Sequence, residues 1–127
     1  MSVVLKRADG ENEVYAACCE SFVVPERHTA YVRGSWCGTE KAFLRLISTA
    51  FCFPAYFGEN YNALDECIND LEWLSFGSLE LIIDDFDMMF ENEADPDGCR
   101  KDLIMILEGI QREWNERGIE FVIKVFR

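Results

Sequence analysis

FPAYFGENYNALDECINDLEW, residues 53–73, is the stretch on which the reading of the whole chain turns. Pro54 interrupts whatever precedes it, because a proline ring clashes with a continuing helix, and Gly58 supplies a permissive turn. Asn60 is a strong N-cap, since its side chain can accept a hydrogen bond from an otherwise orphan backbone N–H. From there the spacing predicts a helix to about Trp73. Ala63, Leu64, Cys67, Ile68 and Leu71 recur at helical intervals and form one apolar stripe. Asn62, Asp65, Glu66, Asn69, Asp70 and Trp73 fall largely off it. The helix thus has a buried side and an acidic, amide-rich side, and the acidic side needs a cation to meet.

The charge around this stretch is one-sided. The chain has 127 residues and a formal net charge of −12. Residues 1–54 hold six acids and six bases, so the whole imbalance sits in 55–127, and no Lys or Arg occurs between Arg45 and Arg100. Such a field repels nucleic acid and anionic membranes and attracts basic partners. An acidic run is also an ordinary solvated face, and charge alone does not separate the two readings. Half the residues are hydrophobic, ample for one core, and the length suits a single domain over 1–127. No apolar run approaches the roughly 20 residues of a membrane span. The first residues carry no apolar signal core, which predicts a cytoplasmic protein.

Six cysteines in such a context are expected to be free thiols rather than disulfides. There is one histidine, His28, and no CxxC pair, so neither a metal site nor a cofactor is expected. Residues 93–98 faintly resemble a calcium loop. Taking Gly98 as loop position six puts Ile104 where a bidentate Glu is required. A turn leading into a helix is the better reading.

Working outward, Thr29–Arg33 reads as a strand, and Thr39 caps a helix over Glu40–Ala50 with Phe43, Leu46, Ile47, Ala50 and Phe51 inward. Leu79–Ile83 is a short apolar run of the kind found in covered strands. A short helix near 85–91 follows. A long helix then spans about Cys99–Arg117, with Leu103, Ile106, Leu107, Ile110 and Trp114 as its stripe and Gly118 as its left-handed stop. Ile119–Phe126 is the last strand. Val3–Lys6, Val14–Cys18 and Phe22–Val24 are weaker strand candidates. Strands separated by helices pair in parallel through right-handed crossovers. The expected fold is therefore α/β: a small three-stranded parallel sheet packed with helices mainly on one side, with an N-terminal extension able to add strands.

The residues FPAYFGENYNALDECINDL resemble the signature of barstar-type ribonuclease inhibitors, roughly Pro-x-Tyr-aromatic-Gly-x-Asn-x-Asp-Ala-Leu-x-Asp-Cys-Leu. The closing helix-Gly-strand, QREWNERGIEFVIKVF, is similar as well. The resemblance covers about 29–126 and makes 1–28 an extension beyond the minimal family domain. It implies a cytosolic inhibitor of a secreted ribonuclease, whose acidic helix and preceding loop plug the enzyme's phosphate-binding site. By position, Tyr56 matches the aromatic that packs on the enzyme, Asn62, Asp65 and Glu66 match the contacting helix face, and Glu113 matches an acidic contact on the last helix. Asn60, Asn69, Asp70 and Trp73 complete the predicted partner-binding set. The chain departs from the pattern at Asn62, where the family has Asp, and at Glu66, one methylene longer than the family's main anchoring Asp. Asp65 stands where an aromatic is common.

Three readings follow. The first is an inhibitor of a basic ribonuclease. The second is an acidic interaction module with this fold and a partner that is not a ribonuclease. The third is an enzyme using Asp65 with Glu66, or Cys67 with His28. Adjacent helical residues diverge by about 100°, so the two carboxylates do not face each other, and Cys67 points to the core. No catalytic set is expected, and neither direct nucleic-acid binding nor membrane binding. The oligomeric state is not legible in the sequence.

Overall fold

The computed structural model describes the backbone of residues 4–6, 26–54 and 58–127. Of the weaker strand candidates, Val14–Cys18 and Phe22–Val24 lie outside these residues. Four parallel strands form one sheet: β1 (Val4–Lys6), β2 (Arg27–Arg33), β3 (Ser78–Asp84) and β4 (Phe121–Phe126), in spatial order β1-β4-β3-β2. The helices are α1 (Glu40–Ala50), α2 (Tyr61–Ile68) and α3 (Pro96–Glu116), with short 3-10 turns at Gly34–Trp36 and Phe86–Met88. The expected three-strand core is present, and β1 of the extension adds a fourth strand beside β4.

The step from β2 to β3 and the step from β3 to β4 go the same way across the sheet. Right-handed crossovers taken in one direction place their helices on one face. On that face Ala30, Val32, Leu79, Leu81, Ile83, Phe121, Ile123 and Val125 meet Phe43, Leu44 and Ile47 of α1, Leu64 and Ile68 of α2, and Leu103, Leu107, Ile110 and Trp114 of α3. Leu46, Ala50 and Ile106, expected inside, are only partly buried at the rim of this core.

The opposite face is not a plain solvated one. In register, Thr29, Glu80 and Val122 lie side by side, followed by Tyr31, Ile82 and Lys124. Glu80 is fully buried at 0 % exposure. It is met by Lys124 Nζ at 3.3 Å and Arg27 Nη1 at 3.5 Å. Arg27 also pairs with Glu120 and donates from Nε to Ser78 Oγ at 3.0 Å. A strand that reads as apolar therefore carries a charged centre on its second side.

Several ends obey local chemistry. Thr39 Oγ1 accepts from the Ala42 N–H at 3.1 Å and starts α1. Asp95 Oδ1 accepts from the Gly98 N–H at 3.1 Å, and Pro96 takes the first turn of α3. That combination starts the helix three residues before Cys99, since proline costs nothing where no N–H partner exists. Gly118 has φ +81°, the left-handed stop its position predicts. At Gly34 a Cβ would lie 2.4 Å from the carbonyl oxygens of Asp84 and Asp85, so only glycine lets β2 turn against the end of β3.

Candidate protein-binding site

Helix α2 begins as its sequence predicts. Asn60 Oδ1 accepts from the Ala63 N–H at 2.8 Å, and its amide nitrogen donates to the Gly58 carbonyl at 3.2 Å. Leu64, Cys67 and Ile68 are buried. Half-buried Tyr61 packs against the core, and its phenol is pushed well above its usual range by burial first and then by the Glu40 carboxylate.

The other end corrects the expected length. The helix stops at Ile68, not near Trp73. The Asn69 side-chain amide turns back to donate to the Asp65 carbonyl at 2.9 Å and to Asp65 Oδ1 at 3.0 Å. Leu71 then adopts φ +50°, a left-handed conformation that ends a helix. Leu71 is buried all the same, reached through the turn rather than by helical periodicity. A stripe of apolar spacing cannot distinguish these two routes inward.

Trp114 of α3 and Arg117, the residue that caps its C-terminal end, complete this end. Trp114 Nε1 donates to the Ile68 carbonyl at 2.8 Å, and Arg117 Nη1 donates to the Asn69 carbonyl at 2.5 Å. The Arg117 guanidinium also stacks over Trp114, 4.5 Å from the ring centroid, and reaches Glu113 at 3.9 Å. The last carbonyls of a helix need donors and carry the negative end of its dipole. Here an indole and a guanidinium supply both.

The predicted site residues fall as follows. Asn62, Asp65 and Glu66 are exposed on α2, and Asp70 is exposed in the turn beyond it. Asn69 is half-buried and bonded to Asp65. Glu113 joins this cluster through Arg117. Asn60 is exposed but engaged in capping. Trp73 is off the helix and half-buried; its indole donates to the Phe51 carbonyl at 2.9 Å and its ring meets Phe53 edge-on. Tyr56 lies outside the described residues. Among the described residues none of Asp65, Glu66, Asp70 or Glu72 has an ion-pair partner, whereas Glu59, Glu80, Asp87, Asp97, Glu113 and Glu120 do.

Arg117 is the residue that the sequence reading passed over. Its signal was the Glu113–Arg117 spacing, acid four residues before base on one helix face. The enzymatic pairings find no support in the geometry. His28 Nε2 bonds the Ala50 carbonyl at 3.0 Å. The Cys67 thiol is pushed up by burial first, then by Glu66 and Asp70, the reverse of an activated nucleophile. The four described cysteines are all free, and no described helix is long and apolar enough to cross a membrane.

No curated protein matches the chain. The model of one protein family, described as barstar (barnase inhibitor), matches residues 27–125, from the first residue of β2 to the penultimate residue of β4. Strands β2 and β3, all but the last residue of β4, the capped α2 and the acidic face lie within that span, and the chain belongs to the barstar family.

Proposed function

We propose that this chain is a cytoplasmic inhibitor of a secreted, basic ribonuclease, and that the exposed face of α2 with the turn after it enters the enzyme's phosphate-binding site. The observation that carries the reading is the set Asp65, Glu66 and Asp70, exposed and without ion-pair partners among the described residues. Carboxylates in this state break no internal ion pair when they meet Arg or Lys across an interface, and among the described residues only Asp65 has a hydrogen bond, from Asn69, to share. The donors at the C-terminal end of α2 hold the face in place before binding, which reduces the ordering cost of association. The net charge of −12 steers a basic partner inward. Glu66 is the expected anchor.

The test is capture of basic proteins from the source cells' lysate and secreted fraction, followed by titration calorimetry and an RNA-cleavage assay with the captured enzyme. Glu66→Ala should cost at least about 2 kcal/mol of binding without changing the melting temperature. Glu66→Asp should weaken binding if the partner is matched to the longer side chain. The association rate should fall as salt rises and the Debye length shortens to about 8 Å. A Glu66→Ala variant that binds as well as the parent would remove α2 from the interface. Asn62 and Glu66 in place of the family's aspartates favour a second reading, an acidic interaction module whose partner is not a ribonuclease. Binding without loss of RNA cleavage would identify it.

A further inference from the structure

The large hydrophobic side chains exposed among the described residues are Tyr31, Trp36, Met88 and Met105. Each lies on or just beyond the carboxyl end of a strand, or on the first half of α3, which starts at that edge of the sheet. Met105 is 70 % exposed. It lines a cavity of about 700 Å³ together with Phe86 and Ile104, within the size range of ligand sites. Residues 97, 101 and 105 and residues 100 and 104 follow helical spacing, so one outward face of α3 forms a wall. The turn after β3 and Arg127 after β4 form the rest.

Three of the six bases in residues 55–127, Arg100, Lys101 and Arg127, gather here in an otherwise acidic half-chain. Arg100 is committed: Nη1 donates to the Met89 carbonyl at 2.6 Å and the Asp87 carbonyl at 3.2 Å, and Nη2 pairs with Asp97 at 2.5 Å. Asp97 is thereby neutralised. Lys101 has no ion-pair partner among the described residues, and Arg127 only a long one, Nε to Asp87 Oδ1 at 3.8 Å. Both are exposed. The cavity therefore offers an apolar floor and two available cations.

We infer that this cavity is a second binding site, which takes a linear peptide segment of a partner protein carrying an Asp or Glu beside an aliphatic or aromatic residue. The carboxylate would reach Lys101 and replace Asp87 on Arg127, and the apolar neighbour would cover Met105, Ile104 and Phe86. A peptide fits better than a small molecule because the walls are open and their outer members largely exposed. The site is distinct from the acidic face of α2. That face abuts the last turn of α3 and the cavity lines its first turns, and a helix of 21 residues spans about 30 Å.

The test is a display selection of random-sequence peptides on the intact chain, followed by fluorescence anisotropy of the enriched peptides. Acidic peptides with an adjacent apolar residue should be enriched. Lys101→Glu should weaken them at least about tenfold, Arg127→Gln and Met105→Ser should each weaken them, and Glu66→Ala should not. All three cavity positions are exposed, so unchanged circular dichroism is expected for the variants. Selection of no acidic-apolar peptide, or of such peptides that bind Lys101→Glu as well as the parent, would overturn the inference. Enrichment of basic peptides alone, lost on Glu66→Ala, would also overturn it while leaving the acidic-face reading intact.

Discussion

Replacing Trp114 by Phe tests the clamp that ends α2. Trp114 is almost fully buried, its indole N–H is bonded to the Ile68 carbonyl at 2.8 Å, and its ring meets Phe76 edge-on at 5.5 Å and carries Arg117 at 4.5 Å. Phenylalanine keeps an aromatic ring but has no donor. The Ile68 carbonyl is then left unpaired, at about 1–3 kcal/mol. The smaller ring leaves a void that the surrounding core fills incompletely, adding about 1 kcal/mol. Arg117 loses part of a cation–π contact worth about 0.5–1 kcal/mol where exposed. The expected destabilisation is about 3 kcal/mol, read as a lower urea midpoint at unchanged slope. Hydrogen exchange should accelerate first at the amides of Asn69, Asp70 and Leu71, which close the end of α2 by bonding back to Asp65 and Cys67. A Trp114→Phe protein within about 0.5 kcal/mol of the parent would refute the reasoning, because no buried carbonyl would have depended on that donor.

Glu80→Ala should destabilise by about 3 kcal/mol in denaturant titration, since it takes from the largely buried Lys124 its carboxylate partner and leaves Arg27 with Glu120 alone. Cys67→Asp should cost a similar amount or more, because a carboxylate would enter a site only 6 % exposed beside Glu66 and Asp70; a melting temperature equal to the parent's would mean that α2 is rotated. Burial pushes the Cys37 thiol from its ordinary 9.0 up to about 12. The unfolded chain therefore releases this proton first. The stability tied to the neutral thiol is whole below about pH 9 and is lost as pH rises to about 12. Urea midpoints should decline over that window, and Cys37→Ser, whose hydroxyl does not titrate there, should flatten the decline.

Much of the fold was legible because it rests on local chemistry. Thr39 and Asn60 begin their helices as their side chains dictate, and the apolar stripes of α1 and α3 reach the core with displacements only at Leu44, Leu46, Ala50 and Ile106. The alternation of strands and helices called for parallel pairing, and the acidic, amide-rich exposure of Asn62, Asp65 and Glu66 followed from periodicity. What periodicity could not supply was anything settled between segments distant in the chain. The end of α2 at Ile68 depends on donors 46 and 48 residues away, so spacing alone carried the helix through Leu71 to Trp73. Trp73 turned inward because the Phe51 carbonyl was there to accept its indole N–H. Glu80 looked like one polar residue in an apolar run, and only strand register set Lys124 and Arg27 beside it. A side chain's local preferences are written in its neighbours along the chain, whereas the partner that satisfies a buried donor, acceptor or charge is chosen by the packing of the whole.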